Sequence, residues 1–254
     1  LHIRCSCYKE DYIQRRILSR MRLRGVEGFD TYHHLLLSSP DEQEALRDAL
    51  TINVTKFFRD PAVFQILQRE ILPDLLTRKH RVRIWCAGCS SGEEPYSIAM
   101  ILQDLRCLHP TLSAVIYATD IDNRVLQRAE EGIYERRSLD HLDRGQIKRH
   151  FSLLPDGRYA VKPHVREWVR FRRHDLLTDA PVARFLDLIT CRNVTIYFTE
   201  EQKNALARTF HAALNSGGYY VMGKTEYLGR EVEALFTPFN TAEKIYTRGD
   251  TTPW

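Results

Sequence analysis

The chain has 254 residues, of which 43% are hydrophobic and 28% charged, and its net charge is only +4. This length and composition suit one large α/β domain or a small domain joined to a larger one. They exclude a disordered, collagen-like or disulfide-scaffold protein. No run of about 18 apolar residues occurs, so we expect no membrane insertion. No signal peptide is visible, although the sequence starts at Leu1 rather than at an initiator Met.

The six cysteines do not form the disulfide framework of a small secreted domain. Cys5 and Cys7 make a CxC pair, and Cys86 and Cys89 make a CxxC pair, from which a zinc site with thiolate ligands could be drawn. The alternative, which we favour, is that Cys86 and Cys89 are small residues in a tight turn. We therefore expect a reduced, cytoplasmic protein without a metal.

Residues 1–75 are predicted to form a helical N-terminal domain. The four-residue spacing of Ile13, Ile17 and Met21 predicts one apolar stripe on the first helix. The basic side chains expected to point away from this stripe are Arg15, Arg16 and Arg22. Further helices are predicted over residues 31–37, 41–50 and 62–76.

Residues 76–254 show alternating strands and helices, which is typical of a doubly wound sheet with crossover helices. The predicted strands cover residues 82–85, 113–119, 170–171, 186–190, 219–222 and 244–247, the last two as an antiparallel pair. The predicted helices cover residues 91–106, 123–131 and 200–214, and Gly217 and Gly218 are expected to close the last of them. Residues 136–167 fit the alternation poorly and are interpreted as an insertion.

The charge is unevenly distributed along the chain. Residues 144–173 contain nine basic and two acidic residues, and residues 9–24 contain six basic and two acidic residues. The two segments together carry +11, so the remainder carries −7. Each basic segment is either a solvated face or a surface for an acidic partner, and the charge alone leaves both interpretations open.

A glycine-containing turn joins the predicted strand 82–85 to the next helix, where doubly wound sheets bind their ligands. Gly88 and Gly92 have the spacing GxxxG rather than GxGxxG, which disfavours a dinucleotide. Glu93 and Glu94 then place two negative charges where a phosphate would lie, which favours a ligand with an ammonium or sulfonium group. A helix cap, with Ser91 as N-cap and Glu94 three residues on, is compatible with the same residues.

Asp120 ends the next predicted strand, 28 residues after Gly92. An acid at this place can accept hydrogen bonds from both hydroxyls of a ribose. The alternative is that it caps the following helix, a role for which Asp122 competes. The pattern therefore describes an adenosine with no phosphate and a cationic tail, and S-adenosylmethionine is such a molecule.

Five blocks of sequence together resemble the CheR-type chemotaxis receptor methyltransferases, in order and over essentially the whole chain. They are residues 51–60 (TINVTKFFRD), 90–99 (SSGEEPYSIA), 118–122 (ATDID), 191–198 (CRNVTIYF) and 224–226 (KTE). The resemblance implies a helical N-terminal domain, a Rossmann-like methyltransferase domain and a small β-subdomain inserted at residues 136–167. The family transfers the methyl group of S-adenosylmethionine to glutamate side chains on chemoreceptor cytoplasmic helices, leaving S-adenosylhomocysteine.

The resemblance also implies which residues hold the cofactor. Asn53, Thr55 and Arg59 would reach it from the N-terminal side, with Arg59 near its carboxylate, unless the first two merely cap a turn and Arg59 pairs with a surface acid. Glu93 or Glu94 would face its amino group.

The remaining cofactor contacts implied by the resemblance lie on later strands. Asp120 would hold the ribose, beside the turn at Gly88. Asp175 and Leu176 match the segment that contacts adenine, although many family members have Asn where Asp175 stands. Asn193 and Val194 would lie beside the transferring methyl group; these and the preceding residues form the predicted cofactor site.

A glutamate carboxylate is already ionised at neutral pH, with a reference pKa of about 4.3, so its attack on a sulfonium methyl needs no general base. His174 beside Asp175 invites such an assignment, but the chemistry does not require it. Tyr197 and Arg59 are predicted to orient the substrate carboxylate, unless Tyr197 is simply a core residue.

The basic N-terminal helix has an expected partner, because receptor methylation regions are coiled coils rich in Glu. The residues expected to contact the receptor are Arg15, Arg16, Arg20, Arg22 and Arg24. Some family members also bind a receptor C-terminal pentapeptide through a Gly-rich loop of the β-subdomain. Here residues 153–161 contain one glycine, so we expect a pentapeptide-independent, monomeric enzyme.

Two other classes of protein stay open. The basic segments would suit a nucleic-acid methyltransferase, but few of their aromatic residues look exposed and they contain no recognised nucleic-acid module, so we expect no nucleic-acid partner. A non-catalytic sensor that only binds the cofactor is the second alternative.

Overall fold

The computed structural model describes residues 9–50, 55–79 and 81–249. Its α-helices are α1 (Glu10–Arg24), α2 (Phe29–Ser38), α3 (Pro40–Leu50), α4 (Pro61–Ile66), α5 (Leu72–Arg78), α6 (Glu93–Arg106), α7 (Asn123–Glu131), α8 (Arg144–His150), α9 (Pro163–Arg166) and α10 (Glu200–Ala213). Its strands are β1 (Arg81–Ala87), β2 (Ser113–Asp120), β3 (Ile133–Tyr134), β4 (Phe151–Leu153), β5 (Tyr159–Val161), β6 (Val169–Arg173), β7 (Leu186–Cys191), β8 (Leu214–Met222), β9 (Phe236–Asn240) and β10 (Ile245–Arg248). Among the described residues, no helix combines the length and apolar character needed to cross a membrane.

Helices α1, α2 and α3 pack around a small core of their own. Met21 from the predicted stripe is buried there, and Ile13 and Ile17 pack against it, which confirms the stripe. Of the basic residues expected to point away from the stripe, Arg15 and Arg22 are exposed. Arg16 is half-buried, and its guanidinium carbon lies 5.5 Å from the centre of the Tyr12 ring.

A buried carboxylate joins these three helices. Glu42 of α3 accepts hydrogen bonds from Arg20 Nε and Nη2 of α1, at 3.0 and 2.7 Å, and from the Tyr32 hydroxyl of α2, at 2.8 Å. Arg24 Nε lies 3.2 Å from the same carboxylate. The hydrogen bonds from Arg20 hold the pKa of Glu42 below its usual range. Part of the basic charge of α1 therefore stabilises the helical domain itself.

The main sheet has seven strands in the order β6-β2-β1-β7-β8-β10-β9. The first five are parallel, and β10 and β9 are antiparallel to their neighbours. Alternate side chains of β1 serve two cores, because successive strand residues point to opposite faces. Ile84 packs on the face covered by α6, and Trp85 on the face covered by α10. The strand order reverses between β1 and β7, so a crevice opens at their carboxyl ends.

The carboxyl-terminal part of the sheet differs from the predicted pair of strands. β8 and β10 do pair, but β9 was missed and lies outside β10. Gly217 and Gly218 do not close α10, which ends at Ala213. They lie inside β8, near an irregularity in its pairing with β7, where a Cβ on Gly218 would approach the Leu186 carbonyl oxygen to 3.1 Å.

A second sheet of three strands, in the order β3-β5-β4, lies between α7 and β6 along the chain. It begins at Ile133, slightly before the predicted insertion at 136–167. The helix predicted over residues 62–76 runs from Pro61 to Arg78, with a π-helical segment at Leu67–Ile71. The division into a helical domain, a larger domain and an insertion stays a prediction.

Candidate active site

A cavity occupies the crevice at the carboxyl ends of the parallel strands. The predicted site residues that line it are Thr55, Arg59, Gly88, Glu94, Asp120, Asp175, Leu176, Asn193, Val194 and Tyr197. Glu93 does not line it, and Asn53 lies outside the described residues. The chain thus brings together side chains that were selected from five separate stretches of sequence.

The turn after β1 supports one wall of the cavity. The N–H groups of Gly88 and Cys89 both donate to the Thr119 carbonyl oxygen, at 2.8 and 2.9 Å, so the turn is fastened to the end of β2. Gly88 has a φ of 79°, and a Cβ there would lie 2.4 Å from Val194 Cγ2. Glycine is required because the backbone is left-handed and because Val194 packs directly against it.

The two cysteines of the CxxC pair lie in different elements. Cys89 lies in the turn, whereas Cys86 belongs to β1, and burial raises the pKa of both thiols. Among the described residues, no group of three or more potential metal ligands gathers; Cys5 and Cys7 lie outside those residues.

Asp120 is held with its carboxylate at the end of β2. Its Oδ2 accepts from the Ser90 N–H at 2.8 Å, and its Oδ1 accepts from the Asp122 N–H at 3.0 Å. Burial raises the pKa of this carboxyl. Asp120 is not the helix cap, because Asp122 caps α7 by accepting from the Arg124 N–H at 2.9 Å. The alternative role considered for Asp120 is therefore excluded.

The two adjacent glutamates at the start of α6 have different surroundings. Ser91 does not form the expected capping box; Gly92 is the N-cap, and the Ser91 hydroxyl donates to Glu93 Oε2 at 2.7 Å. Burial raises the pKa of Glu93. Glu94 faces the cavity, and its Oε1 accepts from the Thr190 hydroxyl at 2.6 Å.

Arg192 belongs to the sequence block 191–198, but no role was predicted for it. Its buried guanidinium donates to Glu94 Oε2 at 2.9 Å, to Asp60 Oδ2 at 2.6 Å and to the Arg59 carbonyl oxygen at 2.9 Å. It therefore joins the end of β7 to the start of α6 and to the loop before α4. A buried arginine needs such partners, but the sequence alone does not show which acids these are.

The segment after β6 forms another wall. Asp175 Oδ1 accepts from the Leu177 N–H at 3.0 Å, which makes a tight turn that presents Leu176 to the cavity. His174 is buried edge-on against Trp85, with ring centroids 5.3 Å apart, and burial lowers its pKa. His174 is therefore neutral near pH 7, and it both packs against Trp85 and lines the cavity.

The N-terminal helices approach the cavity at Tyr197. The Tyr197 ring lies 4.7 Å from the Tyr12 ring of α1, and its carbonyl oxygen accepts from the Lys9 N–H at 3.0 Å. The Tyr12 hydroxyl donates to the Leu50 carbonyl oxygen at 2.6 Å, and Leu50 itself lines the cavity. Tyr197 is half-buried rather than a core residue, and burial raises its pKa, so its hydroxyl is a hydrogen-bond donor at neutral pH.

Two family models cover nearly all of the chain. The model described as "CheR methyltransferase, all-alpha domain" matches residues 1–51, and "CheR methyltransferase, SAM binding domain" matches residues 53–245. The chain belongs to the CheR methyltransferase family.

Individual relatives are similar over most of this chain. Chemotaxis protein methyltransferase 2 of Vibrio cholerae is 35% identical over 90% of this chain and 81% of that protein. The chemotaxis protein methyltransferase of Listeria monocytogenes is 38% identical over 88% of this chain and 84% of that protein. An uncharacterized 104.1 kDa protein of Rhodobacter capsulatus is 36% identical over 94% of this chain, which spans only 25% of that protein.

The cavity of this CheR family member fits S-adenosylmethionine, the cofactor of the family's SAM binding domain. The carboxylates of Asp120 and Glu94 suit a ribose and an ammonium group, respectively. The Ser90 hydroxyl also lines the cavity and is buried without a hydrogen-bond partner among the described residues, so a bound polar ligand would satisfy it.

Replacing Glu94 by Gln should weaken the binding of S-adenosylmethionine at least about tenfold, because it removes a negative charge from the cavity and leaves Arg192 with one partner fewer. Calorimetric titration with the cofactor measures this. The matched control is Glu93→Gln, which should change binding less than about twofold, because Glu93 does not line the cavity and Gln can still accept the hydrogen bond from the Ser91 hydroxyl. Equal losses in both variants would contradict the assignment of Glu94.

Proposed function

We propose that this chain transfers the methyl group of S-adenosylmethionine to glutamate side chains of chemoreceptor cytoplasmic helices, giving glutamate methyl esters. It acts in the cytoplasm as a monomer and without a nucleic-acid partner. The observation that carries the proposal is the meeting of α1 with the cavity at Tyr197, because it brings a basic helix to the place where an acceptor must enter. The names of the relatives as chemotaxis methyltransferases support the same substrate class.

Methyl transfer to a glutamate carboxylate requires the protein to align the reactants but not to supply a general base. The bound cofactor supplies an electrophilic sulfonium methyl group, and an ionised glutamate, with a pKa of about 4.3, is already the nucleophile. The protein must place the carboxylate oxygen in line and exclude water from it. His174 is buried against Trp85 and is not needed as a base.

Tyr197 and Arg59 orient the acceptor carboxylate in this proposal. Both line the cavity. Burial raises the pKa of Tyr197, and the positive charges of Arg16 and, to a smaller extent, Arg59 oppose this effect. A phenol and a guanidinium are both donors to a carboxylate. They therefore hold the ionised acceptor by donating to it, and neither acts as a base.

Replacing Tyr197 by Phe should lower kcat roughly 10- to 100-fold, the effect expected of losing one hydrogen bond to a charged group. Cofactor binding should change little, because the ring remains. The control Tyr227→Phe removes an exposed hydroxyl that donates to Glu200, away from the cavity, and should leave kcat unchanged. Steady-state methyl transfer measures both variants, and a normal kcat in Tyr197→Phe would remove the hydroxyl from the mechanism.

In this proposal, fewer than the five α1 arginines named from the sequence attract the receptor. Arg20 and Arg24 form ion pairs with Glu42, and the Arg16 guanidinium lies over the Tyr12 ring. Arg15 and Arg22 are exposed and lie seven residues apart, on one side of the helix. We therefore assign the electrostatic attraction of an acidic receptor helix chiefly to Arg15 and Arg22.

The double variant Arg15→Glu with Arg22→Glu should raise the KM for the receptor at least about fivefold at low salt, with a smaller effect at high salt, because the attraction is screened. The KM for the cofactor should not change. Arg69→Glu with Arg128→Glu makes the same charge change on exposed positions of other segments and serves as the control. An equal rise in both double variants would show an effect of net charge alone.

Transfer of tritiated methyl groups tests the proposal as a whole. Label should appear in a receptor cytoplasmic fragment as an alkali-labile ester and should be lost when its methylation-site glutamates are replaced by Ala. The β4–β5 loop contains a single glycine, Gly157, and is therefore not Gly-rich. Transfer should accordingly be equally fast with and without a receptor C-terminal pentapeptide. Label in RNA or DNA, or cofactor binding without any transfer, would contradict the proposal.

A further inference from the structure

Glu226 is a buried carboxylate that the sequence block KTE contains and that no step above uses. Five hydrogen bonds reach it. Its Oε1 accepts from the N–H groups of Val194 and Thr195, at 3.0 and 2.7 Å, and from the Thr195 hydroxyl at 2.8 Å. Its Oε2 accepts from the N–H groups of Asn193 and Gly223, at 2.9 and 2.6 Å.

Because donors surround both side-chain oxygens of Glu226, both oxygens must act as hydrogen-bond acceptors. Among the described residues Glu226 makes no ion pair, so neutral donors, four of them backbone N–H groups, replace the water that a buried carboxylate loses. Gly223 allows the close approach, because a Cβ there would lie 2.6 Å from Glu226 Oε2. The five donors therefore hold the Glu226 carboxylate in a single position.

The donors come from the ends of two neighbouring parallel strands. Asn193, Val194 and Thr195 follow β7, whereas Gly223 follows β8. Asn193 has a φ of 61°, a left-handed conformation that asparagine adopts more readily than most residues other than glycine. Glu226 thus fixes the loop at residues 193–195, after β7, to Gly223, after β8.

That loop carries the contacts at the reacting end of the cavity. Asn193 and Val194 line the cavity, and Val194 packs against Gly88 of the turn after β1. Thr195 begins the short helical turn that ends at Tyr197. We propose that Glu226 is a positioning residue, which sets Asn193 and Val194 for the cofactor and Tyr197 for the acceptor carboxylate. The part that concerns the acceptor rests on the proposed function, whereas the part that concerns the cofactor does not.

Glu226→Gln is the decisive variant, because it keeps the size of the side chain and replaces one acceptor by a donor. Whichever oxygen becomes NH2 then faces N–H groups, and the loop must move. We expect cofactor binding, measured by calorimetry, to weaken about tenfold or more, and the KM for the cofactor to rise in parallel. In transfer assays kcat should also fall, while the affinity for the receptor fragment stays unchanged.

The control is Glu243→Gln, which alters a nearby carboxylate that pairs with Lys224 at 3.1 Å and does not contact the loop. It should match wild type. A role in global stability alone would lower the melting temperature and the active fraction without changing the KM for the cofactor. Wild-type kinetics in a folded Glu226→Gln protein would overturn the inference.

If Glu226→Gln does not fold, Thr195→Val provides the test, because it removes only the hydroxyl that donates to Glu226. It should raise the KM for the cofactor about two- to threefold, the size expected of one weakened contact; an unchanged KM would then overturn the inference.

Cofactor binding by the Glu226 variants is measured without a receptor. A wild-type protein that binds cofactor and transfers no methyl group would therefore count against the proposed function and leave the cofactor test of Glu226 intact.

Discussion

The site depends on the buried guanidinium of Arg192. It directly follows β7 and donates one hydrogen bond to the start of α6 and two to the loop before α4. Its partner Glu94 faces the cavity, so this ion pair orients a functional carboxylate as well as joining three elements. A buried charge is tolerated only where such partners are in place, and the positions of these elements are therefore coupled.

Three carboxylates around this centre have different tasks because they have different partners. Asp120 accepts one backbone N–H at each oxygen and keeps capacity for a ligand. Glu94 pairs with a buried arginine and faces the cavity. Glu226 accepts five hydrogen bonds and does not itself line the cavity, although its partners Asn193 and Val194 do. The same chemical group thus has three different surroundings.

The N-terminal helices combine scaffold and surface on the same basic helix. Glu42 takes up Arg20 and Arg24 within the helical core, so only part of the charge of α1 remains for a partner. On the side near the cavity, Tyr12 lies against Tyr197. The small net charge of +4 therefore conceals basic residues with three roles: internal pairing, contact with the site and exposure to solvent.

The sequence by itself determined the alternating α/β order, the apolar stripe of α1 and the strand ends that carry Gly88 and Asp120, because these follow from local periodicity and from turn residues. It did not distinguish Glu93 from Glu94, since neighbours on a helix point about 100° apart and only the packing of α6 decides which one faces the cavity. Apart from Gly223, three residues before Glu226, the partners that give Arg192 and Glu226 their roles lie from 31 to more than 130 residues away along the chain. β9 was also missed. Tertiary structure alone decided these points, because a buried charge is defined by the groups that surround it rather than by its neighbours in sequence.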